Sequence, residues 1–562
     1  MITCAEKDVV DGAQLEADVI IVGSGAAGIP TALTLDKAGF SVLLLEAGIE
    51  KLDDEHQSVY SGTVSDEKLH SPPDTYRQRR LGGSTPIWGG RCVPFDPIDF
   101  KQRAYVEHSG WPVTPEELEP YYERANQWLE AGACDYDGRT ALPSNTPTLI
   151  KGFESDIINT EGLERFSRPT DLYQRYKKRL QISSRLRLLY DASCVGIRVN
   201  EAENKVQFLD VSTQSGKRFK VKGKKYIMAT GGIEIPRLLL ASNDVNPAGV
   251  GNAHGNVGRY YQCHIAGNVG KLKFKGPPEN IRHSYEISDE GIYCRRRISL
   301  RADEQERLQA NNVVLRLHIP KIVDPAHKSG ILSGLFLARF FISYEYAVRL
   351  NDGDKQSAIS YLKHFLNIVT TPFQTLTFLY QWVTKRTLAA RRFPSVILPN
   401  SSNIFSLEVN AEQCPNPDSR ITLIDEKDKF GMPKVNIDWR YMEQDVVSVQ
   451  RTVDAFAKEL ERTQLGSLEV DSESFEQELM RFGAYGGHHV GTTRMGDDPV
   501  TSVVNKHCQV HGYDDLYIAS SSVFPTSSQA NPTLTLLAFA LRITDHVAEN
   551  MNGHIQDGAS SL

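Results

Sequence analysis

The strand-like run Asp18 to Val22 is apolar after its first residue, apolar residues recur at helical spacing over 29–38, and the run Ser41 to Leu45 is again apolar after its first residue. That order predicts a strand, a helix and a second parallel strand, one βαβ unit. Between residues 186 and 228 apolar positions alternate or cluster around turn residues such as Ser215-Gly216, which predicts strands in antiparallel or mixed pairing. Residues 116–131 carry Leu118, Tyr121, Tyr122, Ala125 and Leu129 on one side, and residues 445–460 carry Val446, Val449, Val453, Phe456 and Leu460. Each reads as a helix with one buried face. Residues 330–392 differ from the rest, being apolar and aromatic, poor in turn signals before Pro372 and Pro394, and basic at the end. No internal repeat or low-complexity tract is visible.

Composition narrows the class. A chain of 562 residues is longer than one hydrophobic core usually serves, so at least two domains are expected. With 63 Lys+Arg against 70 Asp+Glu the net charge is -7, which argues against nucleic acid as a generic partner. The hydrophobic fraction of 40% and charged fraction of 24% exclude collagen-like, disordered and coiled-coil classes. Eight scattered cysteines form no CxxC pair, so neither a disulfide framework nor a zinc site is expected. A reducing, cytoplasmic setting fits, and the first residues have no recognisable export signal.

The first candidate chemistry lies at the turn of the βαβ unit. Gly23-Ser24-Gly25-Ala26-Ala27-Gly28 follows the first strand and opens the helix, and Glu46 ends the next strand. Glycines there allow a tight turn, close approach of backbone to a pyrophosphate and close helix–strand packing, while the acid can accept from ribose hydroxyls. Pro30 falls in the first helical turn, where early donors lack intrahelical partners. The pattern predicts a bound dinucleotide without distinguishing FAD from NAD.

Four blocks make the sequence resemble the glucose-methanol-choline (GMC) family of FAD-dependent oxidoreductases. They are the glycine fingerprint with Leu45-Glu46-Ala47-Gly48, the run from Leu81-Gly82-Gly83-Ser84 to Trp88-Gly89-Gly90, the run from Ala229-Thr230-Gly231-Gly232 to Leu239, and the C-terminal stretch 486–542. The pattern looks closest to pyranose oxidase-like, sugar-oxidising members. The resemblance implies an α/β (α+β) fold, with a Rossmann-like FAD-binding domain built from the discontinuous segments 1–100, 185–265 and 480–562. A substrate-binding domain with a mixed or antiparallel sheet and helices would come from 101–184 and 266–479. It also implies that Gly23, Gly25, Ala26, Ala27, Gly28, Glu46, Ala47, Gly82, Gly83, Ser84, Trp88, Val195, Ala229, Gly231, Ser520, Asn531, Pro532 and Thr533 contact the cofactor.

Oxidising an alcohol to a carbonyl needs a base for the hydroxyl proton and an acceptor for the hydride. The family's base position, in His-x-x-Gly-Thr, falls on His488, its neighbour His489 then pointing elsewhere, and the partner position before Pro-Thr is Asn531. An amide donates but is no base, so proton transfer is expected to rest on His488 alone. Trp88 and Trp111 are open to two readings, stacking on a sugar ring or packing. Arg494 and Met495 are expected to be structural, and no metal is expected. Noncovalent FAD is expected, because Ile87 precedes Trp88 where members with histidyl flavin carry histidine, and Cys92 is isolated.

The expected substrate is an alcohol, a sugar or glycoside, with a sterol, choline-like or aliphatic alcohol as the alternative, and a catalytically silent flavoprotein as a third reading. An NAD(P)H flavoprotein would need a second complete fingerprint, which residues 229–232 do not supply. The electron acceptor is open between oxygen, a quinone and an electron-transfer protein. Residues 330–392 are expected to form a helical excursion over the site mouth or against a partner or peripheral membrane surface, the alternatives being internal packing or a homo-oligomer contact. Its polar residues make a spanning helix a poor reading.

Overall fold

The computed structural model describes residues 1–168, 171–200, 202, 204–318, 322–338, 357–389, 394, 402–484 and 486–559. The predicted βαβ unit forms as strand Gln14–Val22, helix Gly28–Lys37 and strand Val42–Glu46. All five residues of the second strand are buried, as a parallel strand covered on both faces requires. The sheet around it runs in the order Ile2–Cys4, Leu186–Tyr190, Val42–Glu46, Gln14–Val22, Arg218–Met228, Lys205–Ser212 and Ser193–Asn200. Its first five strands are parallel and its last three form an antiparallel meander, so the mixed pairing expected for 186–228 is present. The end of Arg218–Met228 also pairs in parallel with Leu516–Ile518, a late strand returning to the sheet.

The helix expected at 116–131 spans Pro115–Leu129. Thr114 and Glu117 form a capping box at its start, satisfying two backbone donors that the first turn leaves free. Its apolar face packs beside the C-terminal helix Thr533–Ala559, where the Tyr122 and Thr535 hydroxyls meet at 3.0 Å. Leu118, Tyr122 and Leu129, with Leu172 and Leu180 of helix Leu172–Ile182, share the core of the parallel sheet.

A second core lies under an antiparallel sheet of six strands, Gly466–Glu469, Ile265–Phe274, Ile404–Ala411, Val313–His318, Ile298–Leu300 and Ile158–Asn159. Helix Glu443–Arg462 covers it with the predicted side, Val449, Val453, Phe456 and Leu460 being fully buried. At about 1.5–3 kcal/mol for each such side chain, that face fixes the helix to the sheet. Within 330–392 the described parts are helices Gly330–Ala338, Ala358–Thr370 and Pro372–Gln381 and a wide turn, Trp382–Thr387. Residues 339–356 and most of 390–401 lie outside the described residues. Among the described residues no helix is long and apolar enough to cross a membrane.

Candidate active site

The parallel strands deliver their carboxyl ends, Val22, Glu46, Met228 and Ile518, to one edge of the sheet, where α/β folds bind ligands. A cavity of about 400 Å³ opens there, within the range of small-molecule sites. Gly23 and Gly28 show why the fingerprint needs glycine. A Cβ on Gly23 would lie 2.5 Å from the Ala229 carbonyl oxygen, and one on Gly28 would lie 1.8 Å from that of Gly23, so this helix and turn could not close on any larger residue. Gly25 faces open space and Gly83 packs against its Cα, which joins the first turn to the Gly82-Gly83-Ser84 turn. Glu46 accepts from the Ser24 backbone at 3.0 Å, the Ser24 hydroxyl at 2.6 Å and the Gly48 backbone at 2.8 Å, so the acid holds the turn it was expected to complement.

Of the residues predicted to contact a cofactor, Gly23, Gly25, Ala26, Ala27, Glu46, Ala47, Gly83, Ser84, Trp88, Val195, Ala229, Gly231, Ser520, Asn531, Pro532 and Thr533 line this cavity, together with His488. Gly28 and Gly82 do not; Gly28 packs the helix on the turn, and the Gly82 N–H donates to the Ser24 hydroxyl at 3.2 Å. Trp111 is a packing residue, its ring against Phe95, Phe100, Phe524 and Phe539 and its Nε1 donating to Thr526. Arg494 donates to the His108 carbonyl and lies over Tyr260, and Met495 is buried.

At the far wall the chain brings residues 260–264 beside 488–490. Gln262 and Val490 exchange two backbone hydrogen bonds of 3.0 Å, an antiparallel register that continues to set 264 opposite 488 and 263 opposite 489. Side chains alternate faces along extended chain, so the two adjacent histidines separate. His488 turns to His264 and Asn531. His489 turns to Tyr261, whose hydroxyl also bonds His70 and Cys263.

That second group gives His489 company that the sequence did not suggest. The ligand atoms of His70, Cys263 and His489 lie within 4.8 Å of one another, and the Tyr261 hydroxyl bonds all three, so hydrogen bonding accounts for their convergence. Burial lowers His70 to about 4 and, with His70 beside it, holds His489 well below the ordinary imidazole range. Burial also pushes the Cys263 thiol up to about 12. All four groups are neutral near pH 7.

On the other face the hydrogen bonds assign protons. His264 Nε2 lies 3.2 Å from the Ser527 carbonyl, which can only accept, so Nε2 carries the hydrogen. Burial lowers His264 to about 4, leaving the ring neutral and its Nδ1 an acceptor. His488 Nδ1, 2.7 Å away, is therefore the donor of that pair. This leaves the lone pair of His488 on Nε2, facing the cavity, 3.0 Å from Asn531 Nδ2.

His264 escaped the sequence reading because it stands 224 positions from His488 and only strand register brings it there. An ionic group lining the cavity was also missed. Arg77 pairs with Glu234 at 2.8 Å, Arg237 with Glu234 at 3.2 Å and with Asp428 at 2.6 Å, and Arg79 donates to Ser193 at 2.6 Å. Burial raises the Glu234 carboxyl, but Arg237 and Arg77 outweigh it and hold it below the usual range. A signal was present: Arg77 and Arg79 sit in the basic run before Leu81-Gly82-Gly83, and Glu234 and Arg237 stand three apart on one helix.

Residues 415–540, which include both His488 and Asn531, match the family model described as GMC oxidoreductase. Those residues form a GMC oxidoreductase domain. Residues 17–263 also match a model described as pyridine nucleotide-disulphide oxidoreductase, which covers the glycine fingerprint and the parallel sheet. The chain is 22% identical to 2-methyl-1,2-propanediol dehydrogenase of Mycolicibacterium austroafricanum over 96% of each chain. It is 23% identical to the fructose dehydrogenase large subunit of Gluconobacter japonicus over 96% of this chain and 98% of that one. A shorter stretch, 23% of this chain and 24% of the other, is 30% identical to C-glycoside 3-oxidase of Microbacterium trichothecenolyticum. Among solved structures, pyridoxine 4-oxidase from Mesorbium loti shares the fold, with a TM-score of 0.53, 17% identity and coverage of 94% of this chain and 98% of that one.

The protein is thus an FAD-dependent enzyme acting on CH–OH donors. The cavity fits that cofactor. Gly25 and Gly231, which line it, face open space, so their backbone can lie against a ligand, and the buried oxygens Thr230 Oγ1 and Asn531 Oδ1, both on residues lining it, have no partner among the described residues.

Proposed function

We propose that the enzyme oxidises a secondary or primary hydroxyl of a sugar, glycoside or similar polyol to a carbonyl, with His488 as the base. The observation that carries the base is the proton assignment at His488: its Nδ1 donates to His264, so its lone pair lies on Nε2, beside Asn531 at the cavity wall. Bound FAD supplies the hydride acceptor for the donor carbon. The substrate hydroxyl takes the position between the two side chains, giving its proton to His488 Nε2 while its oxygen accepts from Asn531 Nδ2. Asn531 orients the oxygen and carries no proton away. The sugar assignment draws support from relatives named for fructose, paromamine and C-glycosides, while a relative named for a short diol keeps aliphatic alcohols in the test.

In this reading the segments 1–100, 185–265 and 480–562 hold the cofactor, with the residues lining the cavity as its contacts. The remainder, 101–184 and 266–479, shapes the substrate side. Anaerobic mixing of the yellow protein with a panel of sugars, glycosides and simple alcohols, followed by flavin bleaching, identifies donors whatever the acceptor is. Fast bleaching by polyols and not by sterols or aliphatic alcohols is the expected outcome, and the reverse order removes the sugar assignment.

The flavin should be held without a covalent bond. Ile87 lines the cavity where a histidyl link would stand, and Cys92 is fully buried with its thiol pushed up to about 12 by burial, a poor nucleophile. Acid precipitation should leave the yellow colour in the supernatant, and colour retained by the washed pellet would show the bond.

A further inference from the structure

Helix Ala358–Thr370 is built inside out. Its buried side is polar. His364, fully buried, meets the Ser333 hydroxyl at 3.0 Å and the Val323 carbonyl at 3.3 Å and stacks on Phe336 at 4.1 Å. Asn367 donates to the Pro325 carbonyl at 2.9 Å, and the Thr371 hydroxyl accepts from the Gly330 backbone at 3.0 Å. These bonds tie the helix to Gly330–Ala338 and to the segment just before it through the groups that a surface helix ordinarily turns to water.

The opposite side carries Ile359, Leu362, Phe365, Leu366 and Val369, all exposed. The next helix, Pro372–Gln381, continues the surface with Phe373, 82% exposed, and Leu376, Leu379 and Tyr380. Among the described elements these helices pack chiefly on one another. Folded proteins rarely leave so many large apolar side chains together in water unless the surface meets something.

Charge indicates what it meets. Residues 355–407 contain six Lys and Arg and no Asp or Glu, in a chain whose net charge is -7. Tyr380 and Trp382 stand just before Lys385 and Arg386, the order in which aromatic rings and cations settle at a headgroup layer. Helices of 13 and 10 residues are too short to span a bilayer. We propose that the helical segment of residues 357–389 is an interfacial anchor that lays its apolar face on a bilayer carrying anionic headgroups. The protein's acidic remainder favours this one face over others at such a surface. The proposal is independent of the substrate assignment.

The test is flotation of the full-length, flavin-loaded enzyme with vesicles of phosphatidylcholine containing or lacking phosphatidylglycerol. The enzyme is expected to float with the anionic vesicles, less at high salt and weakly with phosphatidylcholine alone. A variant carrying Phe365→Ser, Phe373→Ser, Leu376→Ser and Tyr380→Ser should lose vesicle partition by a factor on the order of 100, with flavin content and donor-driven bleaching unchanged. Should that variant not load flavin, Lys363→Glu with Lys385→Glu leaves the apolar face intact and should weaken binding to anionic vesicles by roughly tenfold or more. A flavin-loaded wild type that stays at the bottom overturns the proposal. So does a loaded serine variant that floats equally well, and so does a wild-type dimer that falls to monomer in the serine variant without any flotation, since a second copy would then be the occupant.

Discussion

Replacing His488 by alanine is expected to slow bleaching of the flavin by an alcohol donor by roughly 100- to 10,000-fold, the usual contribution of a placed general base. The geometry explains why the loss should fall on chemistry rather than on folding. His488 is oriented through its ring nitrogens by His264 and Asn531, and neither belongs to a hydrophobic core. The neighbouring His489 also lines the cavity, but its Nδ1 is taken by the Tyr261 hydroxyl, away from His264 and Asn531, so the lone pair that meets the donor oxygen is that of His488. Flavin should remain bound in the variant, since the glycine turns and Glu46 lie elsewhere along the cavity wall. Asn531→Ala should cost less, its amide only orienting the donor oxygen. In the wild type the rate should fall at acid pH, where a protonated His488 has no lone pair to offer. Stopped-flow reduction under nitrogen measures all three, and an alanine variant that loads FAD and bleaches at the wild-type rate removes His488 from the mechanism.

How much of this was legible beforehand depended on whether the information was local. The fingerprint from Gly23 to Gly28 was readable because its requirement is steric and confined to six residues: a Cβ at either end meets backbone. The helices at Pro115–Leu129 and Glu443–Arg462 were readable because one apolar face repeats at helical spacing. His488 and Asn531 were singled out through their motifs, and the structure brings them together at the cavity, while the different partners of His488 and His489 follow the alternation of extended chain. His264 was not readable, because its role follows from the pairing of Gln262 with Val490, a long-range register that no local pattern encodes. Residues 330–392 read as a helical excursion, with internal packing as the alternative, but the side of helix Ala358–Thr370 that faces inward was not readable for a related reason. Its apolar face has the right period for burial, and only the bonds of His364 and Asn367 reveal that the other face points inward.

Substituting His264 with leucine is expected to reduce the turnover number by roughly 10- to 100-fold with little change in KM and with flavin still bound. His264 touches neither the substrate position nor the cavity wall; it acts through His488 as a positioning residue. Leucine leaves the His488 Nδ1–H without its acceptor, and an unmade buried hydrogen bond costs about 1–3 kcal/mol. The ring can then relieve that cost by moving its proton to Nε2, where it no longer serves as a base. Asparagine at 264 offers an acceptor oxygen of similar reach, so His264→Asn should recover part of the loss, which a role in packing alone would not predict. The sign of the pH effect separates the two histidines further. Burial lowers His264 to about 4 in the folded chain against about 6.5 in a free imidazole, so the unfolded chain takes up its proton first. Stability linked to His264 is complete above about pH 6.5 and declines as the pH falls towards 4, and the leucine variant should lack that contribution to acid unfolding. The loss of turnover in the variant should instead persist on the neutral plateau, where His264 is already uncharged. A leucine variant that matches the wild-type turnover there, or an asparagine variant no better than leucine, would mean that the proton on His488 Nδ1 is held by something other than His264.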